Sequence, residues 1–188
     1  STLRRGRDTA NETFGNAASV LGGDFVSSRA FQMMVEVGDM RVLSVLAEAT
    51  DVIADGEVLQ LMNMHDAGID EAAYLRVIRS KTAKLFEASG RLGAMLVHAP
   101  EPIETACATY GQALGTAFQI IDDVLDYEGN AQSLGKNLGD DLREGKLTLP
   151  VICTLQRVTA DERVLIINAI ENGDESQLTR IVSLIQAS

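Results

Sequence analysis

Three aspartates and a glutamine share one short stretch, Gln119-Ile120-Ile121-Asp122-Asp123-Val124-Leu125-Asp126. At the α-helical step of about 100° per residue, with Asp122 at zero, Asp126 falls at about 40°, Gln119 at about 60° and Asp123 at about 100°. The apolar Ala117, Phe118, Ile120, Ile121, Val124 and Leu125 fill the other side. Carboxylates one helical turn apart repel by a few tenths of a kcal/mol, so such a face asks for a compensating cation. A hard, oxygen-liganded ion such as magnesium suits it, because magnesium is held by one or two carboxylates together with substrate phosphates and water. From these residues alone, a solvated acidic face remains the alternative.

Cationic groups stand at three other places. Leu134-Gly135-Lys136-Asn137-Leu138-Gly139-Asp140-Asp141-Leu142-Arg143-Glu144-Gly145-Lys146 is a glycine-spaced loop and helix start that mixes lysines with further aspartates. It is not a Walker A loop, since neither lysine precedes Ser or Thr. Asp140 and Asp141 could simply cap the following helix. Lysines beside a carboxylate cluster nevertheless suit a diphosphate, whose oxygens can bridge metal on one side and ammonium on the other. Ser80-Lys81-Thr82-Ala83-Lys84 lies in mid-helix, with two lysines and a hydroxyl within one turn, and Arg4-Arg5-Gly6-Arg7 offers guanidinium groups for bidentate phosphate contacts. Each alone reads as surface charge. Nucleophilic catalysis is poorly served: His65 and His98 sit at predicted helix ends without a triad setting, and Cys107 and Cys153 lack metal-ligand spacing, which suits reduced structural thiols.

The elements that must position these groups are helices. Apolar residues recur at three and four positions almost throughout the 188 residues, and strict alternation is nearly absent. The breaks predict helices over 9–37, 40–65, 70–97, 101–128, 139–157, 160–171 and 174–187, with no strand required. The expectation is an all-α helical bundle forming one domain over 1–188. A net charge of -11 excludes nucleic acid as a general partner. No uninterrupted apolar run reaches the roughly 18 residues of a membrane span, so there is no transmembrane segment, and a cytoplasmic location is the default expectation.

Taken together, Arg4-Arg5-Gly6, Thr9, Asn11, Phe14-Gly15-Asn16, Gly23-Asp24-Phe25, Gly56-Glu57-Val58-Leu59-Gln60, Ser80-Lys81-Thr82-Ala83, Gly115 to Asp123, Gly135-Lys136-Asn137 and Glu144-Gly145-Lys146 to Pro150 resemble the trans-polyprenyl diphosphate synthase family. The resemblance covers nearly the whole chain and is greatest to bacterial long-chain synthases. It implies an isoprenoid-synthase-type bundle and a head-to-tail condensation, in which an allylic prenyl diphosphate loses diphosphate and the resulting carbocation is attacked by isopentenyl diphosphate. By matching position, Asp122, Asp123 and Asp126 form the second aspartate-rich motif, holding Mg2+ with Asp140 in support. Arg4, Lys81, Thr82, Gln119, Lys136 and Lys146 would hold the allylic diphosphate, and Arg5 that of isopentenyl diphosphate. Asp122, Asp123, Lys81 and Lys136 are the expected catalytic set, and a homodimer is implied. The family's first aspartate-rich motif would lie just upstream of Arg4, and further helices beyond Ser188. The chain therefore reads as a central part of the synthase, incomplete and not itself expected to be active. An accessory subunit of a heteromeric synthase and a terpenoid cyclase of the same fold are the rival readings.

Overall fold

A computed structural model describes residues 3–4, 7–128 and 138–188. Helix formation follows the apolar period, and the helix bounds follow local chemistry. Strands β1 (Leu3–Arg4) and β2 (Arg7–Asp8) pair antiparallel, Leu3 opposite Asp8. Two-residue strands are too short to show alternation, which is why the sequence pattern did not call for them. Helices α1 (Ala10–Phe14) and α2 (Asn16–Val37) replace the single helix expected over 9–37, because Gly15 takes φ 81° and interrupts the ladder. Gly38, at φ 74°, ends α2 in the left-handed conformation. Helix α3 (Met40–Met62) begins on the Asp39 carboxylate, which accepts from the Arg41 amide at 2.8 Å.

The next segment is continuous through three helical states: α4 (Glu71–Ile78), a π-turn over Arg79–Ala83, and α5 (Lys84–Leu96). Asp70 caps its start, accepting from the Ala73 amide at 2.7 Å. Helix α6 occupies Glu101–Glu128, the bounds predicted from the Pro100-Glu101-Pro102 start. The helix expected over 139–157 is instead α7 (Asp140–Arg143) and α8 (Leu149–Leu155). Gly145 at φ 74° closes α7, with amide bonds from Gly145 to the Leu142 carbonyl and from Lys146 to that of Asp141. Pro150, lacking an N–H, is accommodated only in the first turn of a new helix. Helix α9 (Ala160–Asn172) starts with a Thr159/Glu162 capping box, and a 3-10 turn at Glu175–Gln177 leads into α10 (Leu178–Gln186).

Helices α5 and α6 lie antiparallel at close range, and glycine makes that approach possible. A Cβ on Gly90 would stand 2.4 Å from the Cys107 carbonyl oxygen, and one on Gly111 would stand 2.3 Å from that of Phe86. Helix α3 packs on α5 through Val42, Val45, Ala49, Ala88 and Met95. Helices α7 to α10 close one end, where Tyr74 and Tyr127 pack among Leu142, Val151, Ile166, Ile170 and Ile181. By contrast α2 buries only Met34 and leaves Val20, Leu21 and Phe25 about two-thirds exposed. Among the described residues no helix is long and apolar enough to cross a membrane.

Because the Gly111 contact is with backbone, the neighbour cannot turn aside as a side chain would. Gly111→Ala is expected to cost about 1–3 kcal/mol, the range for overpacking a tight contact. Urea unfolding checks it against Gly93→Ala, where nothing stands within 4 Å and stability should hold or rise slightly.

Candidate functional site

One cavity of about 370 Å³ collects most of the residues singled out above. Its acidic wall is the last two turns of α6, where Asp122, Asp123 and Asp126 all face inward with Gln119. The helical arc read from the sequence is therefore the arc that the fold uses. Opposite stand Lys81 and Thr82 of the π-turn, with Gln60 of α3 and Asn63 just past its end. Asp141, Lys146 and Thr148, on and after α7, form the third side.

The three α6 carboxylates are not equivalent. Asp122 is exposed, Asp126 half-buried and Asp123 only 4% exposed. Both Asp123 oxygens are engaged: the Tyr74 hydroxyl donates to Oδ2 at 2.6 Å and the Gln119 amide donates to Oδ1 at 2.7 Å. Gln119 in turn accepts from the Thr82 hydroxyl at 2.9 Å, so α4, the π-turn and α6 are tied through one chain of bonds. Burial pushes the Asp123 carboxyl up to about 6 against the pull of its two donors, and the charges of Asp141 and Asp122 push the same way. Burial, and then the negative Asp123, hold the Tyr74 hydroxyl well above the usual phenol range.

The cations arrive with partners. Lys81 Nζ donates to Gln60 Oε1 and pairs with Glu57 at 3.0 Å, which leaves one of its three donors for the cavity. Lys146 is opposed by burial, but Glu144 and Asp141 outweigh it and keep the ammonium above its ordinary value. The Asp126 carboxylate accepts from the Asp141 amide at 3.1 Å and so sets how α7 meets α6. That register decides which of two adjacent aspartates faces inward. Asp140, expected to support the metal, pairs instead with Arg143 at 2.8 Å and is not among the lining residues, whereas Asp141 is. Neighbours on a helix point about 100° apart, and the way α7 is seated here turns Asp141 rather than Asp140 to the cavity.

Lys84 also parts from Lys81: it pairs with Glu48 and Glu87 at 2.9 Å each, away from the site. Arg5 and Lys136 lie outside the described residues, and Arg4 belongs to β1. His65 serves the scaffold as expected, its Nδ1 bonded to the Ile170 carbonyl at 2.8 Å, and its ring lies where a Cβ on Gly145 would be. The sequence reading missed Tyr74 and Thr148, and quoted Gln60 in its family match without giving it a role. Tyr74 lies seven residues before Lys81, two turns along the same face, but an apolar-looking aromatic gives no sign of the carboxylate it will meet.

As a metal site, the cavity is open rather than caged. Among the described residues no three His, Cys, Asp or Glu side chains stand close enough to hold an ion by themselves. Oxygen donors from Asp122 and Asp126 beside two ammonium groups fit a hard cation that completes its shell with water and a polyphosphate. The chemistry that these facing carboxylates and ammonium groups offer is preorganised charge stabilisation.

The polyprenyl synthetase family model matches residues 1–186. The chain belongs to this family. Octaprenyl diphosphate synthase of Haemophilus influenzae is 52% identical over 177 residues, covering 94% of this chain and 54% of that protein. All-trans-nonaprenyl-diphosphate synthase (geranyl-diphosphate specific) of Rhodobacter capsulatus is 45% identical over all 188 residues, 58% of its own length. The polyprenyl synthase of Caulobacter crescentus, solved with calcium and isoprenyl diphosphate, superposes with a TM-score of 0.93 at 45% identity, covering the whole chain and 58% of that structure. This polyprenyl synthetase chain thus spans a little over half the length of the curated relatives it matches, and the all-helical fold is that of the solved prenyl synthases.

Burial of Asp123 has a testable sign. With its pKa raised from 3.8 to about 6, the folded chain keeps a proton that the unfolded chain has released. The stability from this group is complete below about pH 3.8 and is lost as pH rises through about 6. In metal-free protein, the stability of Asp123→Asn relative to wild type should therefore increase from about pH 4 to about pH 6 and be constant above. A difference that ignores pH in urea melts would contradict the burial.

Proposed function

We propose that the protein containing this chain is a long-chain trans-polyprenyl diphosphate synthase that condenses isopentenyl diphosphate head-to-tail with an allylic prenyl diphosphate. One observation carries the reading: the acidic arc of α6 and the lysines of the π-turn and the α7–α8 connection face one another across a single cavity. Carboxylates alone would repel a diphosphate, and lysines alone would not explain the carboxylates. A diphosphate with a divalent cation satisfies both.

Asp122 and Asp126 would hold the cation, taken to be Mg2+, with Asp123 and, in place of Asp140, the cavity-lining Asp141 in support. Bound there, the ion supplies positive charge to the leaving diphosphate. Lys81, Lys146 and, outside the described residues, Lys136 meet the remaining phosphate charge, with the Thr82 hydroxyl and Gln119 orienting it. Arg4 and Arg5 are assigned to the allylic and isopentenyl diphosphates respectively. The protein's part is to position the two substrates and to stabilise charge as the allylic C–O bond breaks. Similarity to octaprenyl and nonaprenyl synthases supports a long product, and a quinone side chain is its proposed use. Apolar side chains exposed along α2 support a homodimer, which sedimentation of the uninterrupted protein at twice its monomer mass would check.

The deciding assay incubates the uninterrupted protein with magnesium, farnesyl diphosphate and labelled isopentenyl diphosphate and separates the dephosphorylated products by length. Long prenyl products are expected, with kcat/KM reduced about 10²–10³-fold in Asp122→Ala and in Lys81→Ala, as for removal of one preorganised charge. No elongation by a folded protein would overturn this reading in favour of an accessory-subunit role.

A further inference from the structure

The π-turn at Arg79–Ala83 places two adjacent polar residues, Lys81 and Thr82, on the cavity wall opposite the aspartates of α6. Its defining bond runs from the Lys84 amide back to the Arg79 carbonyl, five residues instead of four. The wider turn holds one extra residue, so neighbouring side chains diverge less than in an α-helix. It also resets the register, so that Lys84 leaves for Glu48 and Glu87 while Lys81 stays. A π-turn has poorer bond geometry than the α-helix on either side and persists where something outside it holds it.

Two helices hold it in matching fashion. On α3, a Cβ at Gly56 would stand 2.7 Å from the Lys81 amide nitrogen and 2.9 Å from the Ser80 Cβ. Gln60, one turn later on the same face, receives the Lys81 ammonium. On α6, a Cβ at Gly115 would stand 2.7 Å from the Ala83 Cα. Gln119, again one turn later, receives the Thr82 hydroxyl. In each case a glycine admits the backbone and a glutamine four residues on fixes the side chain it brings.

Resting on the synthase reading above, the geometry points to Gly56, Gln60 and Gly115 as positioning residues that clamp the π-turn between α3 and α6 and thereby aim Lys81 and Thr82 at the allylic diphosphate. None of them need touch substrate. Their effect is confined to the diphosphate that meets Lys81 and Thr82.

The test uses the uninterrupted protein carrying Gly56→Ala, Gly115→Ala or Gln60→Ala, with Gly93→Ala as the control in open space. Steady-state constants are measured for farnesyl and isopentenyl diphosphates separately, and binding of magnesium pyrophosphate is followed by calorimetry. KM for the allylic diphosphate is expected to rise about tenfold, the loss of one charge-assisted hydrogen bond. Pyrophosphate affinity should fall in parallel, KM for isopentenyl diphosphate should hold, and Gly93→Ala should stay within about twofold of wild type. A folded clamp variant with wild-type constants for both ligands overturns the clamp, as does an equal change in both KM values. Gln60→Ala leaves the backbone contact untouched and decides the matter if the glycine variants fail to fold. Wild-type protein that neither elongates farnesyl diphosphate nor binds magnesium pyrophosphate overturns the synthase reading itself, and the clamp with it.

Discussion

The arrangement rests on a carboxylate that is expensive to bury. Asp123 sits at 4% exposure near the end of α6, and an ionised carboxyl taken out of water is tolerated only with donors at its oxygens. The Tyr74 hydroxyl and the Gln119 amide supply them, one from another helix and one from the preceding turn of its own. Satisfying Asp123 therefore fixes the register of α4 against α6, and Asp122 and Asp126 fall on the cavity wall as a consequence. A leucine at 123 would bury more easily but would leave the Tyr74 hydroxyl without the acceptor it has here.

Compensation of like charge explains the rest of the site's layout. Four aspartates line a cavity of about 370 Å³, and the described residues bring only two lysines to the same space. Each lysine is already shared with a neighbouring carboxylate, Glu57 for Lys81 and Asp141 and Glu144 for Lys146. The shortfall of positive charge is what a divalent cation would correct, and the remaining ammonium donors are what a diphosphate would use. Close helix packing keeps these groups within reach. Gly56, Gly90, Gly111 and Gly115 let backbones approach where any Cβ would separate them.

Much of this was legible in the chain itself. The arc of Gln119, Asp122, Asp123 and Asp126 follows from helical pitch alone, and α6 has the bounds that its flanking Pro and Gly residues predict. Helix interruptions were harder, because they depend on a single backbone angle. The expected helix over 139–157 fails at Gly145, whose φ of 74° is held by packing against the His65 ring, a residue eighty positions away. The small β1–β2 pair escaped because two residues carry no period.

What the sequence determined is whatever local periodicity and residue chemistry dictate: an all-helical chain, an acidic face on one helix, and lysines and glycines at spacings that match the polyprenyl synthetases. Tertiary structure alone decided which charged groups meet. It separated Lys81 from Lys84 by placing Lys81 in a π-turn that ends just before Lys84, chose Asp141 over Asp140 by the bond from its amide to Asp126, and Tyr74 as the partner of Asp123 by seating α4 beside α6. The physical reason is that a helix fixes the direction of its own side chains to within one turn, whereas the partner in that direction depends on how another helix, distant in sequence, is packed.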